Sequence, residues 1–300
     1  MVNGFINLLK PPGPTSHDMV AFVRRLLGIK RVGHAGTLDP LAAGILVIAV
    51  GKATRLISYL EGTKTYRGEI TFGKTTSTLD AGGQIQSVSP VSLQRRQLED
   101  VLPQFTGPLM QVPPMVSAIK WRGQRLYSLA RQGLEVERKP RPVVIHQLKL
   151  LSFAPDTAHP RALVECTCSA GTYIRSLAAD MGNVLGCGAY LSFLLRTQSG
   201  PFAIETSITP SEMETAVVDG SFSKCLLPPE KAVAYLAAIV LLPEDALLFT
   251  HGSSVIVKSI TWTKDTTVRV HSHDDGTFLG IGHLVRCDTA FRLNPDVVFS

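Results

Sequence analysis

Three hundred residues, 45% hydrophobic and 18% charged, suit one large globular domain or a large and a small one, with enough chain for a sizeable core. No apolar run approaches the roughly 20 residues of a membrane span, and the N-terminus lacks the charged-then-apolar pattern of a signal peptide, so the expected location is the cytoplasm. The net charge of +6 points to a polyanionic partner, while five cysteines, an odd number with no CxxC pair, exclude a disulfide framework and a zinc cluster.

In chain order, "GFINLLK" reads as a strand, followed by a proline-rich turn and a helix. Ser16 is its expected N-cap, and Val20, Val23 and Leu27 share one face. "GILVIAVG" is continuous and rich in β-branched residues, as in a strand buried on both faces. "KATRLISYLEG" reads as a helix closed by Gly62. "TYRGEITFG" alternates as a strand, and "LDAGG" supplies a turn. A helix is expected over "SLQRRQLEDVLPQF", with Pro103 near its end. "PVVIHQLKLLSFA" and "RALVECTCSAG" read as paired strands. In the second, Val164, Cys166 and Cys168 alternate along one face as small buried hydrophobes. A helix from Tyr173 to about Leu185 follows. Strands and helices mix without a βαβ rhythm, so the expected class is α+β, a mixed and largely antiparallel sheet flanked by helices. A boundary is expected near Lys231 to Ile239, giving domains 1–236 and 237–300. The second is a small β-rich module of short alternating strands and glycine turns.

Charge is concentrated. Between Met115 and Pro142 lie seven basic residues (Lys120, Arg122, Arg125, Arg131, Arg138, Lys139, Arg141) against Glu135 and Glu137, whereas the stretch from Ala237 onward is slightly acidic. Nucleic-acid affinity is therefore expected in the middle of the chain.

Three residues invite a chemical reading. Asp39 sits in "GHAGTLDPLAAGILVIAVG", between a glycine turn and a chargeless run. It is either an Asx-turn cap or a carboxylate aimed at one fixed place. Arg175, in "AGTYIRSLAAD", begins a helix after a strand. It is either a solvated surface arginine or a guanidinium that orients a carboxylate in a cleft. Tyr66 is a core strand tyrosine or a platform for a flat ring, and His34 a loop histidine satisfying local hydrogen bonds. "VHSHDDG" reads as turn residues at a strand end rather than a metal site. No GxGxxG, P-loop, GxSxG or HExxH occurs, so neither cofactor nor metal is expected.

Together these segments resemble the TruB type of tRNA pseudouridine synthase almost end to end. "LLKPPGPTSHDMV" is similar to the family's KPxGxTS motif, and "RVGHAGTLDPLAAGILVIAVGKATR" to its catalytic motif. "KTYRGEITFGKTTSTLDAGG" resembles its tyrosine-bearing strand. "QVPPMVSAIKWRGQRLYSLARQGLEVERKPR" resembles the insertion that serves as a thumb on RNA (about 111–141). "CSAGTYIRSLAADMG" resembles its arginine motif. The last 60 residues resemble a PUA-like domain loosely. The resemblance implies the pseudouridine synthase fold and isomerisation of uridine 55 in the tRNA T loop, without metal or cofactor. It implies Asp39 as the catalytic aspartate, Tyr66 as the tyrosine stacking on the base, and Arg175 as the arginine paired with the aspartate. His34, Tyr173, Leu194, Lys10, Lys64, Arg122, Arg125 and Arg131 would bind substrate. Lys10 belongs to the N-terminal motif, in a structural or backbone-binding role.

The implied partner is the tRNA T stem-loop, with no membrane or protein partner and a monomeric state. The carboxylate can attack ribose C1′ or uracil C6, or take a proton from C2′; the sequence leaves these open. One departure stands out. Where relatives carry a leucine and two arginines, this chain reads Leu194-Leu195-Arg196, one basic contact fewer. Two rival readings are a non-catalytic RNA-binding protein or RNA chaperone on the same scaffold, and an aspartate-dependent glycoside hydrolase or N-glycosylase. The latter lacks a second carboxylate at the motif.

Overall fold

A computed structural model describes residues 2–155, 158–257, 264–287 and 290–299. The chain opens with β1 (Gly4–Lys10) and α1 (Ser16–Leu27). Thr15, not the expected Ser16, caps α1. The Thr15 side chain accepts from the Asp18 amide, and the Asp18 carboxylate accepts in return from the Thr15 amide. Such a box needs a carboxylate three residues on, which Thr15 has and Ser16 lacks. Ser16 is thereby freed to bond elsewhere.

β2 (Val32–Ala35) and β3 (Ala43–Val50) flank the loop that carries Asp39. From Ile45 to Val50 every residue of β3 is at most 1% exposed. Ile45, Val47 and Ala49 join Phe5, Leu56 and Phe202 on one face, while Leu46, Ile48 and Val50 meet Met19, Val20 and Val23 of α1 on the other. A chargeless run is what two buried faces require. The next segment departs from expectation. It is a 3₁₀ helix (Gly51–Tyr59) that ends at Leu60 in extended backbone, short of Gly62. Ala53, Leu56 and Tyr59 all pack into the same cluster, and their spacing of three matches a 3₁₀ turn rather than an α-turn.

There follow β4 (Lys64–Phe72), the hairpin β5 (Lys74–Thr76) and β6 (Ile85–Val88), and α2 (Arg95–Val101), which tightens to 3₁₀ where Pro103 enters. Next come β7 (Gly107–Gln111), a small hairpin β8 (Lys120–Trp121) and β9 (Gln124–Arg125), and α3 (Leu126–Arg131). The basic stretch thus projects between β7 and β10 (Arg141–Ala154). β11 (Arg161–Cys168), α4 (Ile174–Val184), β12 (Ala189–Ser199), β13 (Phe202–Ala203), α5 (Pro210–Val218) and α6 (Pro229–Ala232) complete this part. Among the described residues its sheet has nine strands, ordered β1-β3-β12-β4-β11-β10-β7 with β2 on β3 and β13 on β12. All pairings are antiparallel except β3 with β12. Gly44 sits at that parallel contact with φ +115°, where a Cβ would collide with the Arg196 backbone.

The last part holds β14 (Ala238–Leu241), α7 (Pro243–Thr250), β15 (Val255–Val257), β16 (Thr266–Ser272), β17 (Phe278–Cys287) and β18 (Ala290–Val298). These strands form a second sheet, β14-β16-β17-β18-β15. Alternating residues expected across 258–263 lie outside the described residues. Phe278, Ile281 and Val297 of this sheet pack with Phe5 and Ile45 of the first and Leu56 of the 3₁₀ helix, so the two sheets share one apolar cluster. At "VHSHDDG" the side chains serve the turn. His271 Nδ1 lies 3.1 Å from the Gly276 carbonyl, and the Asp275 carboxylate accepts from the Thr277 amide at 3.0 Å. Among the described residues no helix is long and apolar enough to cross a membrane.

Candidate active site

Asp39 lies in the β2–β3 loop, and three groups grip that loop by its backbone. The Ser16 hydroxyl exchanges 2.9 Å hydrogen bonds with both the amide and the carbonyl of Leu38. Lys10 Nζ donates to the carbonyls of Pro40 at 3.1 Å, Ala42 at 2.8 Å and Pro11 at 2.9 Å. Arg196 donates from Nε to Ile45 at 2.7 Å, and from its terminal nitrogens to Gly36 at 3.2 Å and Thr37 at 3.4 Å. Both cations are fully buried, and each is satisfied by carbonyl oxygens. Gly36 (φ +78°) makes the turn possible. With the backbone so held, the loop from Gly36 to Asp39 lines the cleft, and the Asp39 carboxylate is its one charged group.

Lys10, counted among the substrate-binding residues, is fully buried, and its recorded bonds go to backbone carbonyls of this loop and its neighbours, which fits the structural or backbone-binding role also expected of it. Burial pulls its pKa down to about 8, against the field of Asp39, so the ammonium still predominates at pH 7. Lys10→Met should leave three carbonyls, that of Ala42 buried, short of a donor, at a cost of about 1–3 kcal/mol, and loosen the loop that carries Asp39, with any turnover at the site slowed. Thermal melting and single-turnover rates check this; an unchanged melting temperature would remove the clasp role.

The partner of Asp39 is Arg175, in the first turn of α4. Its terminal nitrogens lie 2.9 Å from Asp39 Oδ2 and 3.4 Å from Asp80 Oδ2. They also donate to the carbonyls of Thr78 at 3.1 Å and Val116 at 2.9 Å. The Arg175 side chain is 4% exposed, so the reading of a solvated surface arginine is set aside. Asp80 was not among the sequence candidates. It sits in the turn between β5 and β6, where Leu79 adopts a left-handed φ of +62°, a costly conformation for leucine. Its other oxygen accepts from the Thr78 hydroxyl and the Gly82 amide. A second carboxylate thus reaches the site from a segment outside the Asp39 motif, and both of its oxygens are already engaged by donors of the protein.

Burial raises the Asp39 pKa above its ordinary value, Asp80 adds to the rise, and Arg175 opposes it. Beside this pair opens a cleft of about 280 Å³ walled by Tyr66, Leu194, Tyr173, Lys64 and Arg175, with Asp39 and Gly36 on its rim. That is the small end of ligand pockets. Tyr66 on β4 is 8% exposed and Leu194 on β12 is 9%. Burial raises the pKa values of Tyr66 and Tyr173. Tyr173 is held by reciprocal bonds between its backbone and the Gln111 amide, at 2.7 and 3.0 Å. Lys64 donates to the Gly62 carbonyl at 3.1 Å, and burial lowers its pKa.

His34 stands on β2 two residues before Gly36, outside the residues lining the cleft. Its Nδ1 is buried without a hydrogen-bond partner, and burial followed by Arg196 lowers its pKa. Arg122, Arg125 and Arg131 are exposed on the projecting segment. Arg122 (φ +46°) and Gly123 (φ +85°) make the two-residue hairpin turn, and the Arg122 guanidinium lies 4.6 Å above the Trp121 ring. Arg131 lies 5.6 Å over Tyr127. These arginines are distinct from the cleft, but Val116 of the same basic segment accepts from Arg175, so the segment and the site share a contact.

Comparison with known proteins places this geometry. Residues 24–174 match the family described as TruB family pseudouridylate synthase (N terminal domain), and residues 175–234 match tRNA pseudouridylate synthase B C-terminal domain. The chain is 51% identical to tRNA pseudouridine synthase B of Moorella thermoacetica over 257 residues, 85% of this chain and 84% of that one. It is 40% identical to the protein of the same name from Heliobacterium modesticaldum, over 100% of this chain and 96% of that one. Among solved structures, a chain of a Cbf5–Nop10–Gar1 complex superposes with TM-score 0.78 at 28% identity, over 99% of this chain and 85% of that one. A chain of an H/ACA RNP bound to a substrate RNA containing 2′-deoxyuridine gives 0.76 at 27%, with the same coverage.

Proposed function

This chain belongs to the TruB family of pseudouridylate synthases, and from that membership we propose that it isomerises uridine 55 in the T loop of tRNA to pseudouridine. The observation that carries the reading is a carboxylate, Asp39, set 2.9 Å from a buried guanidinium at the mouth of a cleft walled by Tyr66 and Leu194. In the reaction the glycosidic C1′–N1 bond breaks, the uracil turns, C1′ bonds to C5, and the C5 proton moves to N1. Atoms and electrons balance without an external reagent. Arg175 fixes the carboxylate, Tyr66 supports the ring, and Leu194 closes the wall. His34, Tyr173 and Lys64 bind the loop around it. Extruding the uridine costs a few kcal/mol, and stacking on Tyr66 returns roughly 1–3 kcal/mol.

In this reading residues 1–236 form the catalytic domain, with the basic thumb at about 111–141, and residues 237–300 a PUA-like domain. The protein acts on the T stem-loop as a monomer, without a protein partner, in the cytoplasm. Pseudouridine mapping on unmodified tRNA incubated with the purified protein tests the assignment. Release of free uracil in its place would turn the reading to an N-glycosylase, and binding without either product to an RNA chaperone.

Two further outcomes are expected. Reversing charge at Arg122, Arg125 and Arg131 should weaken tRNA binding and reduce the slope of log K against log salt by about 2–3, because each lost phosphate contact releases one counterion fewer. An unchanged slope would place the RNA elsewhere. Tyr66→Phe keeps the ring and should bind the flipped base nearly as wild type, whereas Tyr66→Leu should lose roughly 1–3 kcal/mol of binding. If the hydroxyl moves a proton, Tyr66→Phe binds normally and turns over slowly; rapid-quench kinetics at saturating enzyme separate the steps. Wild-type turnover by Tyr66→Leu would make Tyr66 a core residue only.

A further inference from the structure

A second hollow adjoins the cleft across Asp39 and Arg175. Its lining includes Leu41, Asp80, Ala81, Leu191 and Phe193. Two of these are large apolar side chains left in water, Leu41 at 49% and Phe193 at 43% exposed. Single exposed apolar residues are ordinary. The exposure of Phe193 has a specific cause in the backbone, however. On β12, Leu191 pairs with Ile70 and Phe193 with Glu69 on β4, so Ser192 is an extra residue in a β-bulge. The Ser192 hydroxyl lies 2.7 Å from Glu69 Oε1 and 3.0 Å from its backbone oxygen, which pins the bulge. Strict alternation would put Phe193 on the buried side with Leu191 and leave Leu194 outside. The bulge reverses this phase, turning Leu194 in and Phe193 out. Bulges next to active sites re-aim side chains in this way.

The hollow's chemistry narrows its occupant. Asp39 and Asp80 face it with one guanidinium between them, so a phosphate would meet surplus negative charge. A neutral flat ring would cover Phe193 and Leu41. Resting on the reading of the cleft as a uridine site, we propose that Phe193, in a hollow also lined by Leu41, is the stacking platform for a nucleobase immediately adjacent to the target uridine in the RNA strand. It is a positioning residue, fixing the strand's path past Asp39.

The test uses the whole protein with a T stem-loop RNA and two versions carrying an abasic nucleotide, one 5′ and one 3′ of the target. Single-turnover rates against enzyme concentration separate half-saturation from the maximal rate. Phe193→Ser should raise the half-saturating concentration roughly tenfold, the scale of one lost base stack, and spare the maximal rate by comparison. Phe193→Tyr should match wild type. One abasic RNA should cost wild type the same factor and cost Phe193→Ser nothing more, since the two changes remove one contact. Wild-type half-saturation in Phe193→Ser, or penalties that multiply for both abasic RNAs, would overturn the proposal. So would a melting temperature lowered in Phe193→Ser alone together with a reduced maximal rate, which marks a core residue. If wild type forms no pseudouridine in the intact RNA, the reading of the cleft fails instead.

Discussion

Asp39→Asn should abolish isomerisation while leaving tRNA affinity within about tenfold of wild type. The substitution keeps the side chain's shape, and the loop is held by backbone bonds to Ser16, Lys10 and Arg196 that do not involve the carboxylate. What it removes is the charged oxygen, and with it any nucleophile or base; losses of this kind run to at least 10²–10⁴-fold. An amide nitrogen turned toward Arg175 would also meet a donor where the carboxylate offered an acceptor. The pH dependence is a second signature. The folded-state pKa of Asp39 is raised above 3.8, chiefly by burial. With Asp39 as the proposed nucleophile or base the ionised form is the active one, so the rate should be lost as pH falls through that raised value. The acid limb of the single-turnover profile should therefore lie above the range of an ordinary aspartate. Product formation by Asp39→Asn within tenfold of wild type would leave the carboxylate without a chemical role.

The legible part of the site was the part written in local motifs. The glycine turn set against a chargeless strand singled out Asp39, and the strand-to-helix passage Arg175, while their pairing came from the family resemblance. Both placements depend on neighbours within a few residues. Asp80 was passed over because "STLDAGG" reads first as a turn, although its Thr-Leu-Asp repeats the run in "GTLDP". What gives it a role is Arg175, 95 positions away, and no local pattern carries that contact. The burial of Lys10 and Arg196 was not legible for a related reason, although a structural or backbone-binding role was expected of Lys10. A charged residue is ordinarily at the surface, and only the tertiary fold supplies the ring of carbonyls that allows these two to be buried. The 3₁₀ helix at Gly51–Tyr59 and the cap at Thr15 are smaller differences, decided by packing period and by one carboxylate. The one-residue phase shift at Ser192 leaves no trace in hydrophobic alternation, because leucines and a phenylalanine stand on both sides of it.

Arg175→Met should damage stability and turnover together, and a second substitution should separate the two effects. Removing the guanidinium leaves Asp80, 17% exposed, and Asp39 without their shared cation. It also strips the Thr78 and Val116 carbonyls of a donor. Breaking a buried pair by deleting one partner costs about 3–5 kcal/mol, which for a chain of this size lowers the melting temperature by roughly 10 °C. The rate should fall at least as far as the orientation of Asp39 depends on that 2.9 Å contact, on the order of 10²-fold or more. Adding Asp80→Asn to Arg175→Met removes one of the two stranded charges and should recover part of the melting temperature. It cannot restore turnover, because Asp39 still lacks the group that aims it. Lysine at 175 keeps the charge but not the fork that spans two carboxylates and two carbonyls, so Arg175→Lys should be more stable than Arg175→Met and nearly as slow. If Asp80→Asn rescued turnover together with stability, Arg175 would serve the fold alone, and the pairing with Asp39 would be incidental to the chemistry.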